Sequence, residues 1–335
     1  MDTQNIRLTS TEIGGLWTTY IQDSATICFL QYFKHHTKDK EILSIVKDTL
    51  SVSQRHIDRI NQIFEKEQFP VPNAFSEKDY SLSTPPLFYD LFALSFIYGL
   101  SRISMPTYGN ITSTVARLDI VNFFSECIVD SKNLYQKALN LMLSKGIYDR
   151  PPKISYPKEV AFVSDKAYVG HIIGSKRPLN VLELTELFFQ IEQNYFGSIL
   201  LTAFLQTVKD EKIKKYFKKG KKLTEKIISL SNEILLDDGF HGNIPVSMEI
   251  TDSTDAPFSD KLMLYIINSL NSSGINYLGH AISRSSRKDL SSRYIRLLPD
   301  LLTYSEDGLD LLIERSWLEQ PPQSIDRNKL IDQEK

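Results

Sequence analysis

The chain has 335 residues, 41% hydrophobic and 24% charged, with a formal net charge of −2. That length accommodates two domains of ordinary size, each able to bury a core, and the near-neutral balance gives no reason to expect nucleic acid or an anionic membrane as partner. Cys28 and Cys127 are the only cysteines, the opening "MDTQNIRLTSTEIGGLW" lacks the form of a signal peptide, and no apolar run approaches the roughly 20 residues that span a bilayer, so a soluble cytoplasmic protein with reduced thiols and no disulfide framework is expected.

Taken in chain order, the first half predicts four helices. Ile13, Leu16, Trp17, Tyr20, Ile27 and Cys28 share one face of the first, with Thr11 available as its N-cap. Ile42, Ile45, Val46, Thr49, Val52, Ile60 and Ile63 form the stripe of the second. The third runs from about Leu87 towards Arg117, entered through Pro85 and Pro86. Pro106 lies inside it and is expected to kink or interrupt it, because proline removes one hydrogen bond and clashes with the preceding turn. The fourth runs from about Asp119 to Lys145, with Gly146 placed as a C′ glycine and Pro151–Pro152 beyond it. The stretch that follows, "PPKISYPKEVAFV" to "GSKRP", reads as extended.

The second half then repeats the first at an offset of 170 to 171 residues. "TEIGGLWTTYIQDS" lies over "LELTELFFQIEQNY", "ARLD" (116–119) over "SRKD" (286–289), and "IYDRPP" over "WLEQPP". A period this long marks a duplicated domain and not a solenoid of short repeats. The expected organisation is a first bundle over 1–150, an extended linker over 151–179, a second bundle over 180–322 and a tail over 323–335. In each copy the connections are short, long and short, the pattern of a ferritin-like bundle whose long segment crosses from end to end. The fold expected is all-α: two tandem ferritin-like four-helix bundles.

A ferritin-like fold invites a di-iron site, which takes Glu-x-x-His from two of its helices. None of the six histidines (His35, His36, His56, His171, His241 and His280) has Glu three residues before it. A weaker constellation remains in the first bundle. Steps of 3.6 residues place Asp23 and Ser24, His56, and Asp130 and Ser131 on or near the inner stripes of helices one, two and four. Tyr98 and Arg102 fall on or beside the inner face of helix three. Asp23, His56 and Asp130 suit either a divalent metal bound through nitrogen and oxygen or a satisfied buried network. The matching positions of the second copy are Asn194, Ile227 and Asp300, where any ligand set has decayed.

Glu12 and Glu183, early in equivalent helices, read as complements of the helix dipole. In "KIKKYFKKGKKLTEK" (212–226) an inner stripe of Ile213, Tyr216, Phe217, Gly220 and Leu223 leaves the lysines as a solvated face. Cys28 and Cys127 fall on inner faces, as buried thiols do. There is no Gly-rich phosphate loop and no nucleophile motif. A third site considered is an apolar-ligand site near Met105 to Thr114.

The phrases "LTSTEIGGLWTTYIQDS", "SKGIYDRPP", "TDSTDAPFSDKLM" and "WLEQPPQ" together resemble a family of endospore-forming Gram-positive bacteria catalogued as a domain of unknown function. Its members are duplicated ferritin-like bundles related to the spore coat F type. The resemblance spans nearly the whole chain and implies a spore or sporulation association, with other spore or coat proteins as partners; it supplies no catalytic residues. Two roles are therefore carried forward. One is a non-enzymatic structural or interaction protein with no cofactor, present as monomer or homodimer. The other is a metal- or small-ligand-binding bundle centred on Asp23, His56 and Asp130.

Overall fold

The computed structural model describes residues 6–172, 174, 176–240 and 249–332; His241, in the second long connection, lies outside them. The first half folds as α1 (Ser10–His36), α2 (Lys40–Lys66), α3 (Asp90–Thr112) and α4 (Leu118–Ser144). The second folds as α5 (Val181–Thr207), α6 (Glu211–Asp237), α7 (Asp260–Arg284), α8 (Lys288–Ile295) and α9 (Leu298–Glu314), with a short α10 (Arg327–Asp332) beyond it. Among the described residues between α4 and α5, the helical turn is a 3₁₀ turn at Lys166–Val169. The connections are short at 37–39 and 113–117 and long at 67–89, and the second copy repeats this at 208–210, 285–287 and 238–259. Among the described residues no β-strand forms, and no helix is long and apolar enough to cross a membrane.

Local chemistry explains most helix ends, and four expectations need correction. Thr9, not Thr11, is the N-cap of α1: Glu12 accepts the Thr9 backbone N–H at 2.7 Å, which is the T-x-x-E arrangement of a capping box. Pro106 does not interrupt α3, which is helical from Asp90 to Thr112, and α3 begins after Tyr89 instead of at Leu87. The fourth helix of the second copy is broken between Ile295 and Leu298, where Pro299 stands at the start of α9. Proline there cannot donate to residue 295 and its ring clashes with that carbonyl; the first copy has Val129 at the equivalent place and α4 runs through.

The C-termini of the two copies end in the same way. Gly146 adopts φ +67°, and the Gly146 and Ile147 amides donate to the Leu143 and Met142 carbonyls, closing α4 as a Schellman motif. Ser316 takes the same left-handed conformation after α9, at φ 54°, with Trp317 donating to Leu312.

The two bundles share one core. Their long crossovers run antiparallel to each other, with bridges Tyr80–Phe258 and Phe88–Ile250. Backbone bonds run from Ser81 to Pro257, Tyr89 to Glu249, Thr251 to Leu87 and Ser259 to Asp79, at 2.8–3.1 Å. The offset that registers the copies carries Tyr80 onto Ile250 and Phe88 onto Phe258, so the two bridges exchange under it: the join is an internal approximate twofold. Around it, Phe29 packs on Phe96 at 5.1 Å and on Phe258 at 4.2 Å, and Phe92 stacks on Phe196 at 5.7 Å. Phe29, Phe92, Phe96 and Phe258 belong to one buried apolar cluster that includes residues of both bundles, with the partly buried Phe196 packed against it.

Candidate functional site

Asp23 on α1, His56 on α2 and Asp130 on α4 come together at mid-height of the first bundle. His56 Nδ1 lies 3.0 Å from Asp23 Oδ2, and His56 Nε2 lies 3.3 Å from Asp130 Oδ2. The Ser53 hydroxyl donates to Asp23 Oδ1 at 3.1 Å, and Arg55 donates to Asp130 Oδ2 at 2.6 Å. His56 and Asp23 are buried, while Asp130 opens partly towards Arg55 at the surface. Tyr108 and Phe123 stand edge-on to the imidazole, at 6.1 and 5.9 Å.

Two carboxylates on the two ring nitrogens require both nitrogens to donate, which makes the ring an imidazolium. Burial works against that charge, but the bonds to Asp130 and Asp23 outweigh it and hold the His56 pKa up at about 12. The bond from His56 in turn holds the Asp130 carboxyl below its ordinary range, with Arg55 assisting against the opposing effect of burial.

The three predicted residues gather around one ring, but not around one point. Asp23 and Asp130 sit on different nitrogens, and among the described residues no three His, Cys, Asp or Glu side chains form a group able to hold a metal ion. Tyr98 and Arg102 stay apart from the triad. Arg102 bonds the Tyr98 hydroxyl, pairs with Glu192 of the second bundle and lies 4.0 Å from the centre of the Phe189 ring, so it helps join the copies. Ser24 and Ser131 donate back to the Ile21 and Cys127 carbonyls. Burial pushes the Cys127 thiol up, and the Cys28 thiol up to about 12, leaving neither as a ready thiolate.

This polar layer divides the first bundle. Leu16, Ile60, Phe64, Phe124 and Cys127 form an apolar cluster on one side of it, and Phe29, Ile42, Val46 and Ala138 belong to the shared core on the other. In the second bundle the layer is gone. Asn194 donates to the Gln190 carbonyl one turn back at 2.8 Å, Ile227 is buried, and Asp300 pairs with Lys226 at 2.7 Å as Asp130 does with Arg55.

A second set of charged residues, not assembled from the sequence, recurs in both copies. Glu12, almost fully buried, accepts the Ala116 and Arg117 amides at 3.2 and 2.8 Å, tying the start of α1 to the start of α4. Burial raises its pKa, but the bonds from Thr9, Arg117 and Ala116 outweigh this and hold it below the ordinary value. Glu183 does the same with the Arg287 amide at 3.0 Å and gains a bidentate Arg177 at 2.8 Å. Arg117 in turn bonds Asp119 and Glu67, and Arg287 bonds Asp289 and Asp238. Dipole complementation therefore understates both glutamates: they are cross-helix clamps. The signal available was the coincidence of "ARLD" with "SRKD". The lysine run on α6 has the expected inner stripe, and Lys212, Lys219 and Lys226 pair with Glu314, Asp307 and Asp300 of α9.

A family model described as "Protein of unknown function (DUF3231)" matches residues 1–160 and, a second time, residues 168–330. No curated protein matches the chain. Among solved structures, one from Bacillus halodurans C-125 described as a "putative spore coat protein" aligns over 46% of this chain and 100% of its own, at 20% identity and a TM-score of 0.43.

Proposed function

We propose, for a chain that belongs to the DUF3231 family and carries its domain twice, that it is a non-enzymatic structural or interaction protein of the spore coat or of sporulation. The observation that carries this reading is the join between the copies. Crossovers paired backbone to backbone and aromatic rings packed through both bundles make one body, whose internal twofold offers two related faces to partner proteins. The charged groups support the same reading, because Asp23, His56 and Asp130, and Glu12 and Glu183 with their arginines, bind one another. The spore association rests on the resemblance of the phrases quoted above, and the partners it implies are other spore or coat proteins. Quantitative mass spectrometry of purified spores and sporulating cells of the producing organism tests it. Recovery with the coat fraction is expected; absence from spores and from sporulating cells overturns it.

A second reading makes the first bundle a divalent-metal site. The carboxylate on His56 Nδ1 favours it, since metal-bound histidines are commonly oriented from behind by such a partner. His56 Nε2 and Asp130 would then be the ligands and Asp23 the orienting group, against the opposing charge of Arg55 on the same Asp130 oxygen. Elemental analysis of the untagged protein, wild type beside His56→Ala, separates the readings. About one equivalent of iron, manganese or zinc that disappears in the variant supports the metal; none in either, with folding intact, supports the structural role.

A further inference from the structure

Where the first bundle holds its charged layer, the second holds a cavity of about 80 Å³ between α5, α6, α7 and α9. Its origin is legible in the pairing of the copies. At the offset that registers them, His56 becomes Ile227, Tyr108 becomes Leu278, Thr26 becomes Gly197 and Asp23 becomes Asn194. All four second-copy residues line the cavity. Walls on α5, α6 and α7 have been trimmed, whereas on α9 Ser131 and Leu134 become the larger Leu301 and Tyr304, which line the space without closing it.

The walls are mainly apolar: Leu201, Leu223, Ile227, Ile267, Leu278 and Leu301. Among the described residues no Asp, Glu, Lys, Arg or His lines the cavity. Most polar groups at its edge are committed elsewhere. The Asn271 side-chain amide donates to the Leu301 carbonyl and the Ser305 hydroxyl, Asn194 to the Gln190 carbonyl, and Thr224 to the Lys221 carbonyl. Gln190 and Tyr304 are the exceptions. Both line the cavity, Gln190 is 4% exposed and Tyr304 3%, and the buried Gln190 Nε2 and Tyr304 hydroxyl have no hydrogen-bond partner. A buried donor left unpaired is costly. The mainly apolar wall with the Gln190 donor exposed to the space suits a molecule that offers an acceptor to that donor and is otherwise apolar.

We propose that the second bundle binds a small neutral organic molecule, with an apolar body against Leu201, Ile227 and Ile267 and one hydrogen-bond acceptor directed at Gln190 Nε2. The absence of charged residues from the walls selects against carboxylates and amines, whose desolvation nothing there would offset. The size is that of a compact molecule of a few heavy atoms, since a dry cavity of about 150 Å³ takes benzene. This inference is independent of the spore association and of the chemistry at His56.

The test uses the full chain and acetone as probe, with acetate as the charged control of the same heavy-atom count, read by ligand-observed saturation-transfer NMR and by titration. Binding of acetone and none of acetate is expected. Gln190→Leu, which removes the donor but keeps the bulk, is expected to weaken acetone about tenfold, one hydrogen bond's worth. Gly197→Leu, which puts a side chain into the space, is expected to abolish binding; Ile227→Phe serves as a second filler if that variant does not fold. The Cβ at 197 meets only Thr224 Cγ2, at an ordinary 3.6 Å, so this position has room for a Cβ. No saturation transfer to acetone, equal binding of acetate, or binding undiminished by the filling variants would each overturn the proposal.

Discussion

The two bundles solve one packing problem in two ways. The first bundle fills its interior at mid-height with His56 between Asp23 and Asp130, walled by Tyr108 and Phe123. The second keeps the surface ion pair, Lys226–Asp300 for Arg55–Asp130, but replaces the interior with Asn194, Ile227 and Leu278 and leaves a cavity. What stays constant lies at the bundle ends. Glu12 with Arg117 and Glu183 with Arg287 clamp one end of each copy. At the other, Asp39 pairs with Lys145 and Asp210 with Arg315. Duplication has preserved the clamps that set helix register and let the interiors diverge, which is where one copy could acquire a use the other lacks.

The comparison can be broken most severely at the charged residues. His56→Ala strands the buried Asp23 carboxylate in the interior of the first bundle, with Asp130 keeping Arg55, and is expected to cost about 3–5 kcal/mol, measured by urea unfolding followed by circular dichroism. Arg287→Met should cost a similar amount, because Arg287 is 2% exposed and its partner Asp289 4%. Arg117→Met, whose partner Asp119 is 41% exposed, should cost only about 2 kcal/mol. Equal losses at 117 and 287 would contradict the claim that burial sets the difference between the clamps.

Transplanting the second bundle's solution sharpens the comparison further. Asp23→Asn with His56→Ile leaves Asp130 on Arg55, as Asp300 sits on Lys226. It is expected to cost about 1–2 kcal/mol, less than His56→Ala alone, since removing charges together avoids a stranded one. A larger loss than the single variant would refute this.

The pH dependence has a definite sign. A histidine whose folded pKa is raised to about 12 contributes its full stabilisation below its unfolded pKa, near 6.5, and loses it as pH rises towards 12. The stability gap between wild type and the Asp23→Asn/His56→Ile variant should therefore narrow from pH 7 to pH 9, by up to about 1.4 kcal/mol per unit. Asp130, lowered, acts at the other end, its contribution disappearing as pH falls through its folded value. The smallest effect concerns the left-handed closing residues: Ser316→Gly should stabilise by about 0.5–1 kcal/mol, and Gly146→Ser should destabilise comparably. Thermal denaturation of both variants reads this out.

Much of this architecture was legible in the residues. Apolar period and the paired prolines located the helices, the repeat offset carried them to the second copy, and steps of 3.6 residues put Asp23, His56 and Asp130 on or near the inner stripes of the first bundle. Some signals were present but outweighed. Thr9 and Glu12 spell a capping box that Thr11 obscured, and Pro299 marks the break in the second copy's last helix. Other features arise only in three dimensions. That Asp23 and Asp130 take different nitrogens of His56 depends on side-chain rotation, which periodicity does not encode. The pairing of Tyr80 with Phe258 joins segments far apart in the chain, each without strand patterning, and the cavity appears only when trimmed residues on separate helices face each other.

His56 is charged at neutral pH and bridges Asp23 and Asp130 across the first bundle's interior. Long-range nitrogen–proton NMR of the His56 ring at pH 8 tests it directly. The account predicts that both ring nitrogens are protonated, well above the pH at which an ordinary histidine is neutral. A neutral ring with one bare or metal-bound nitrogen at that pH would contradict it.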